Sequence, residues 1–272
     1  MSINIPFYRS DSKVGKSPAG QRAPPPPRNG RGGAAPPRNG PAWGADVVSS
    51  NIVGYEKISL STKTYKMGGV QFVGVGGDTV SLNDLFSGDI VYGTKIMFLD
   101  ETTGAYVSYK YLAEAYDPDA DDFVEGWGDV YEELATDPVP NGTGFWYYPE
   151  AGDTTVTQAG QVDANGTASV TIPANQYTMV VNPYPQGFNP NEVTWDANLA
   201  FGTRIMTLSD SGAYVTYKYL QEAYDADADD FVTGWGDVYE ELVTSDIATV
   251  GEGFWVFAPA ETTVTFSSPI AQ

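Results

Sequence analysis

The feature that most constrains the fold of this chain is an acidic segment that occurs twice. EAYDPDADDFVEGWGDVYEEL at 114–134 returns at 222–242 as EAYDADADDFVTGWGDVYEEL, with changes only at Pro118, which becomes Ala226, and at Glu125, which becomes Thr233. Shorter matches flank it, GTKIM at 93–97 with GTRIM at 202–206 and GFW at 144–146 with GFW at 253–255. A repeat of this length predicts duplication of a whole folding unit.

Each unit has the pattern of an all-β fold. Short runs rich in Val, Thr, Tyr, Phe and Trp alternate with Gly, Asn, Asp and Pro, as at 95–99 and 105–112 and again at 204–208 and 213–220. This pattern predicts two tandem homologous β-sandwich or open-barrel repeats. Helical signals are weak: one turn at 82–86 and another at 111–116 or 130–134, the last with Asp129 as a cap.

Three segments are expected along the chain. Residues 1–45 are predicted to be a disordered basic tail rich in Pro and Gly, 46–163 the first β repeat and 164–272 the second. The tail holds PPRNG twice, at 26–30 and 36–40, and its seven Lys and Arg against Asp11 give it a charge of +6. It is interpreted either as a basic arm for a polyanion or an acidic neighbour, or as a linker, propeptide or incidental extension. Neither a secretory signal nor a membrane span is recognised in the sequence.

Charge and composition exclude several classes of function. After residue 45 the chain has 7 basic and 34 acidic residues, a net charge of −27, which disfavours binding of nucleic acid or anionic membranes. The chain contains no His and no Cys, so Ser-His-Asp or Cys-His catalysis and zinc, copper or haem sites are not expected. The glycine-rich stretch at 74–77 lacks the Lys-Ser/Thr of a phosphate loop, so no nucleotide is expected either. Oxygen ligands would favour Ca²⁺, Mg²⁺ or Mn²⁺.

The acidic segments are candidates for a cation site. Alternate residues of an extended segment point the same way, so their carboxylates are expected to converge. The segment departs from an EF-hand, because Asp122 stands where that loop has Gly and Gly128 where it has Glu. A looser calcium loop and a merely solvated acidic turn are both left open. The candidate ligands are Asp117, Asp119, Asp121 and Asp122, with Asp225, Asp227, Asp229 and Asp230 in the second copy, and Glu125 as a further candidate.

Trp127 and Trp235 are candidates for ligand contact. Each lies between two glycines, so the indole ring is expected to lie exposed and to stack on a sugar or on a partner surface. The alternative is a core tryptophan beside a β-bulge.

A hydrolase without histidine is the runner-up interpretation. Paired carboxylates can act as acid and base on a glycosidic bond, and a carboxylate-held metal can activate water. The candidate catalytic residues are Asp121, Asp122, Glu125, Asp129, Asp229, Asp230 and Asp237.

Several motifs resemble one group of proteins. NIVGY at 51–55, TYKMGGVQF at 64–72, QYTMVVNPYP at 176–185 and the closing TTVT at 262–265 look like those of largely uncharacterised secreted proteins of the Planctomycetes and Verrucomicrobia assemblage. The resemblance implies export and a β-rich, surface-associated role, and it supplies no active site. The amino terminus departs from it, since a basic Pro-rich stretch stands where a signal peptide is expected.

The combined expectation is a secreted or cell-surface β-repeat protein whose acidic Trp loops bind calcium and contact carbohydrate or a protein partner. The first alternative is the hydrolase. A further alternative is a structural surface component that assembles into oligomers through exposed strand edges.

Overall fold

The structure, a computed structural model, describes residues 52–74, 80–100, 103–163 and 166–270. The predicted tail at 1–45 lies outside these residues. The chain is nearly all β, with 54% strand and 2% helix, which confirms the predicted fold class. We refer to residues 52–163 as the first half and to 166–270 as the second half.

The described residues form ten strands in the first half and eight in the second. In the first half they are β1 Val53–Leu60, β2 Lys66–Gly69, β3 Val80–Ser81, β4 Phe86–Ser87, β5 Lys95–Asp100, β6 Ala105–Asp117, β7 Asp122–Gly128, β8 Pro138–Val139, β9 Gly144–Tyr148 and β10 Thr154–Gln161. In the second half they are β11 Thr167–Ile172, β12 Tyr177–Val180, β13 Thr194–Trp195, β14 Arg204–Leu208, β15 Tyr214–Asp225, β16 Asp230–Gly236, β17 Phe254–Phe257 and β18 Thr262–Ser267.

One helical turn, α1 Leu82–Leu85, confirms the turn predicted at 82–86. The Ser81 side chain accepts from the Asp84 N–H, and the Asp84 carboxylate accepts in return from the Ser81 N–H, which is a capping box. The second predicted turn is wrong, because 111–116 belongs to β6 and 130–134 is a non-helical loop with Glu132 at φ 64°. Among the described residues, no helix has the length and apolar character needed to cross a membrane.

The two halves build sheets of matching strand order. The five-stranded antiparallel sheets run β2-β9-β5-β6-β7 and β12-β17-β14-β15-β16, and the three-stranded sheets run β1-β10-β4 and β11-β18-β13. Strands β3 and β8 form a small extra pair. No sheet within the described residues closes into a barrel. Duplication as the origin of this match stays a prediction.

The halves share one hydrophobic core. A single buried cluster includes Ile96 and Phe145 from the first half and Ile205 and Phe254 from the second. A smaller cluster on the opposite face of the large sheets takes two residues from each half, namely Met67, Trp146, Met179 and Trp255. The two halves therefore pack as one body along a seam formed by β2 and β9 against β12 and β17.

Glycines allow the backbones of the two halves to approach each other closely at this seam. A Cβ atom on Gly253 would lie 2.7 Å from the Gly68 carbonyl oxygen, and one on Gly144 would lie 2.9 Å from the Met179 carbonyl oxygen. A polar contact also crosses the seam, where Gln71 Nε2 donates to the Tyr184 carbonyl oxygen at 2.9 Å.

Candidate functional site

The acidic segment is a tight hairpin and not the extended loop expected from the sequence. Asp117 at the end of β6 pairs with Asp122 at the start of β7, and 118–121 form the turn between them. Asp117 Oδ1 accepts from the Asp119 N–H at 2.9 Å and from the Ala120 N–H at 3.3 Å. The first carboxylate thus stabilises the turn itself.

The next carboxylates of the hairpin are also engaged locally. Asp121 lies at φ 55°, and its Oδ1 accepts from the Tyr116 hydroxyl at 2.9 Å, a bond that raises the pKa of Tyr116. Asp122 Oδ1 accepts from the Phe123 N–H at 2.8 Å. Asp119 is exposed.

The second hairpin repeats this arrangement. Asp225 Oδ1 accepts from the Asp227 N–H at 3.0 Å, the Tyr224 hydroxyl donates to Asp229 Oδ1 at 2.9 Å, and Asp230 Oδ1 accepts from the Phe231 N–H at 2.8 Å. In the described part of the chain, no three carboxylates lie close enough together to hold a metal ion. The prediction that these carboxylates converge is wrong, because alternate side chains of a turn do not point in the same direction as they do in an extended strand. Calcium binding itself stays a prediction.

Two further catalytic candidates cap the loops that follow β7 and β16. Asp129 Oδ1 accepts from the Tyr131 N–H at 2.8 Å and from the Glu133 N–H at 3.0 Å. Asp237 makes the same two bonds to Tyr239 and Glu241 at 2.8 and 3.0 Å. These hydrogen bonds explain why the repeated segment has Asp at this position: in each half its carboxylate stabilises the loop that follows the strand.

The prediction of exposed tryptophans is wrong. Trp127 is 0% exposed and Trp235 is 1% exposed, and both belong to the main core. Neighbouring residues of a strand point to opposite faces, so the glycines beside Trp127 face away from the core. A Cβ on Gly126 would lie 2.6 Å from Asn83 Oδ1, and one on Gly128 would lie 2.7 Å from a Leu112 methyl. The glycines are needed for close packing on the other face.

Sequence reasoning missed two asparagines that hold these tryptophans. Asn83 Oδ1 accepts from the Trp127 N–H at 2.6 Å, while its Nδ2 donates to the carbonyl oxygens of Trp127 and Ala135 at 3.1 and 2.9 Å. Asn191 makes the equivalent bonds to Trp235 and Val243. Each amide links the edge strand to the segment that returns beside it, since the Ala135 N–H also donates to the Trp127 carbonyl oxygen at 2.7 Å and the Val243 N–H to the Trp235 carbonyl oxygen at 2.9 Å. The available signal was an Asn 44 positions before each Gly-Trp-Gly.

A cleft in the first half brings together groups suited to ligand binding. It has a volume of about 390 Å³ and is lined by Tyr92, Gly93, Lys110, Tyr111, Leu112, Ala113, Glu150 and Ala151. Tyr92 is 49% exposed, and its ring stacks on that of Tyr111 with centroids 5.9 Å apart and planes at 12°. The cleft therefore offers an accessible aromatic pair beside charged side chains.

Glu125 supports this aromatic pair. The Tyr111 hydroxyl donates to Glu125 Oε1 at 2.8 Å. Burial, and then this bond and the carboxylate charge, raise the pKa of Tyr111 to about 12. Burial and Glu125 also raise the pKa of Tyr92. The Tyr111 hydroxyl is thus already engaged as a hydrogen-bond donor to Glu125.

The second half keeps the stacked rings and loses the polar groups. Phe201 stacks on Tyr219 at 5.3 Å and 10°. At the position of Glu125 stands Thr233, whose hydroxyl donates to the Gln221 carbonyl oxygen at 3.0 Å. The hydroxyl of Tyr92 and the carboxylate of Glu125 are thus present together in one half and replaced together in the other.

The described residues form a β-sheet protein with a shallow cleft lined by aromatic and charged side chains. No protein-family model matches the chain, and neither a curated protein nor a solved structure matches it.

Proposed function

We propose that this protein is a secreted or cell-surface carbohydrate-binding protein, whose main site is the cleft beside Tyr92 and Tyr111. The observation that carries the proposal is the joint exchange of Tyr92 and Glu125 for Phe201 and Thr233 between two halves of matching strand order. Pure packing would tolerate the same residues in both halves, whereas a ligand site in one half requires its polar groups there.

The chemistry of the cleft fits a saccharide. The C–H face of a sugar ring packs on an exposed aromatic ring, and sugar hydroxyls pair with donors and acceptors around it. Tyr92 offers the ring, and the charged ends of Lys110 and Glu150 stand among the lining residues. An open cleft also suits an extended polysaccharide better than a small enclosed ligand.

The test is binding to a panel of soluble polysaccharides, measured by titration calorimetry, with Tyr92→Ala and Phe201→Ala as matched variants. The loss of one stacking ring should make the binding free energy less favourable by about 1.4 kcal/mol, which is about a tenfold loss of affinity. We expect Tyr92→Ala to weaken binding by that factor and Phe201→Ala to leave this site unchanged. Equal losses in both variants, or no binding by the parent, would overturn the proposal.

The runner-up function is a glycosidase or esterase that uses the acidic residues. Glu125 is the candidate that contacts a cleft-lining side chain, through Tyr111. Release of reducing ends or of acid from the bound polysaccharide, lost in Glu125→Gln with binding retained, would replace our proposal with this one. The other candidate carboxylates are bonded within hairpins and loops or lie exposed on the hairpins, away from the cleft-lining residues.

Assembly through strand edges has less support from the large sheets. Asn83 and Asn191 occupy the outer edges at β7 and β16, and the opposite edges lie at the seam. Sedimentation of the protein over a hundredfold range of concentration tests this alternative, and we expect no concentration-dependent growth.

Calcium binding by the hairpins is a separate part of the expectation, and the carbohydrate proposal does not require it. If calcium binds only the folded state, a calcium concentration 100 times the Kd would raise the free energy of unfolding by about 2.7 kcal/mol. Thermal unfolding in chelator and in millimolar calcium, for the parent and for an Asp117→Asn/Asp121→Asn variant, decides the point. A calcium-dependent rise in Tm that the variant loses would establish the site.

A further inference from the structure

Each large sheet carries a row of two aromatic and two cationic side chains on the face turned away from the main core. In the first half, Tyr148 pairs with Lys95, and Lys95 pairs with Lys110. The Tyr65 ring stacks on Tyr148 with centroids 4.6 Å apart. We call the set Tyr65, Tyr148, Lys95 and Lys110 the first row.

The second half carries the equivalent set. Tyr177 pairs with Phe257, Phe257 pairs with Arg204, and Arg204 pairs with Lys218. The Tyr177 and Phe257 rings lie 5.0 Å apart. We call the set Tyr177, Phe257, Arg204 and Lys218 the second row.

The rows lie on the outer face because of strand alternation. Side chains directly opposite each other on paired strands share a face. The residues next to the row members along the strands, such as Ile96, Tyr147, Ile205 and Val256, are fully buried in the core. Tyr65 is 52% exposed and Tyr177 is 45% exposed, while Lys110, Arg204 and Lys218 are exposed.

The rows concentrate positive charge on a very acidic body. The seven basic residues after residue 45 are Lys57, Lys63, Lys66, Lys95, Lys110, Arg204 and Lys218, and four of them belong to the two rows. The cations of the two rows lie at equivalent register positions, Lys95 opposite Lys110 and Arg204 opposite Lys218, so each row places two positive charges side by side. Lys95 also lies over the Tyr148 ring, with its Nζ 5.8 Å from the centroid.

The acidic hairpins are too distant to cancel this charge. Seven residues of β6 separate Lys110 from Asp117, which is about 23 Å along a strand. The Debye length at physiological ionic strength is about 8 Å, so an anion on the row is largely screened from the hairpin. Locally, therefore, the row attracts anions although the whole molecule repels them.

The geometry points to an anionic polysaccharide, with carboxylate or sulfate groups, as the carbohydrate that this protein binds. This inference rests on the proposed carbohydrate function and names its ligand class. Aromatic rings pack on sugar faces, and the cations beside them pair with the acidic substituents. Four strands at about 4.8 Å spacing make a row about 14 Å long, enough for consecutive residues of a chain. Lys110 also lines the cleft, whereas the ring of Tyr111, the next residue of β6, points to the opposite face of the sheet and packs on Trp127.

The two rows differ in free positive charge. Glu150 forms a salt bridge with Lys95 at 3.0 Å, and this pairing lowers the pKa of Glu150. In the second half Pro259 holds the corresponding place after the strand, and Arg204 and Lys218 form no salt bridge with any described residue. Each cation of the second row should therefore contribute more to the free energy of anion binding than each cation of the first row.

The experiment compares dextran with dextran sulfate, and polygalacturonate with its methyl ester, in titrations of the full chain at 150 mM salt. We expect the charged member of each pair to bind and the neutral member to bind at least tenfold more weakly. Lys218→Gln should weaken binding of the charged polymer about tenfold. Lys57→Gln, which removes the same charge outside the rows, should leave it within twofold.

The outcomes separate the two proposals. Equal binding of charged and neutral polymers, lost in Tyr92→Ala, would overturn the anionic class and leave the carbohydrate function standing. Absence of binding to every polymer would overturn both. Single-stranded DNA of matched charge is the control for general attraction of polyanions. If it binds as tightly as the charged polysaccharide, or if Lys218→Gln and Lys57→Gln lose the same affinity, the assignment to the rows is overturned.

Discussion

Glu56 is expected to make the protein less stable as the pH rises through neutrality. Its strand β1 turns Ile58 and Leu60 into the core, and Glu56 lies on the same face. Its Oε2 is buried and has no hydrogen-bond partner, and a Cβ on Gly251 of the second half would overlap the carboxylate. Burial raises the pKa of Glu56 from 4.5 to about 7, against the opposing effect of Lys66.

The sign follows from proton binding. Between pH 4.5 and about 7 the folded state holds a proton on Glu56 that the unfolded state has released, so the unfolding free energy falls as the pH rises across that window. The shift corresponds to about 3 kcal/mol. Because Glu56 keeps some contact with water, screening lowers the expected value to about 2 kcal/mol.

Denaturant unfolding of the parent and of Glu56→Gln at several pH values from 4 to 8.5 measures this effect. We expect equal stabilities near pH 4, and at pH 8 a variant more stable than the parent by about 2 kcal/mol. Glu114→Gln, on the exposed face of β6, removes the same charge and controls for general repulsion among the acidic residues. Parallel curves for the parent and Glu56→Gln across the whole range would refute the reasoning.

Two further substitutions test the packing that supports the site. Asn83→Ala removes three hydrogen bonds, two to Trp127 of β7 and one to Ala135, and should lower the free energy of unfolding by about 1 to 2 kcal/mol. The control is Asn198→Ala, at an exposed position, which should change the free energy of unfolding by close to zero in the same denaturant assay. Gly253→Ala places a methyl 2.7 Å from the Gly68 carbonyl oxygen and should cost about 2 kcal/mol or more. Gly152→Ala meets only ordinary contacts, with the nearest atom at 3.7 Å, and a Tm loss as large as that of Gly253→Ala would contradict a tight seam.

Local sequence signals were sufficient for the β class, for strands such as β5 and β14 and for the turn at α1, whereas β7 and β16 were not predicted as strands. These features depend on side-chain alternation and on turn and capping residues that act over a few positions, as Ser81 and Asp84 do. The matching strand orders of the two halves also accord with the repeat read from the sequence.

The placement of the functional groups was decided by contacts between distant segments. A Gly-Trp-Gly segment is compatible with an exposed ring or a buried one. Trp127 is buried because its side of β7 faces the main core, where the indole packs against the distant Phe86. The alternating acids would converge on an extended segment, but the pairing of Asp117 with Asp122 folds this segment into a hairpin.

The aromatic and cationic rows show the same limit most clearly. Tyr65, Lys95, Lys110 and Tyr148 become neighbours only through the register of four strands. By itself, the sequence determined the all-β class and many of the strands, because alternation and turn chemistry act locally. Only the tertiary structure decided which side chains meet, because strand pairing and core packing join residues far apart in the chain.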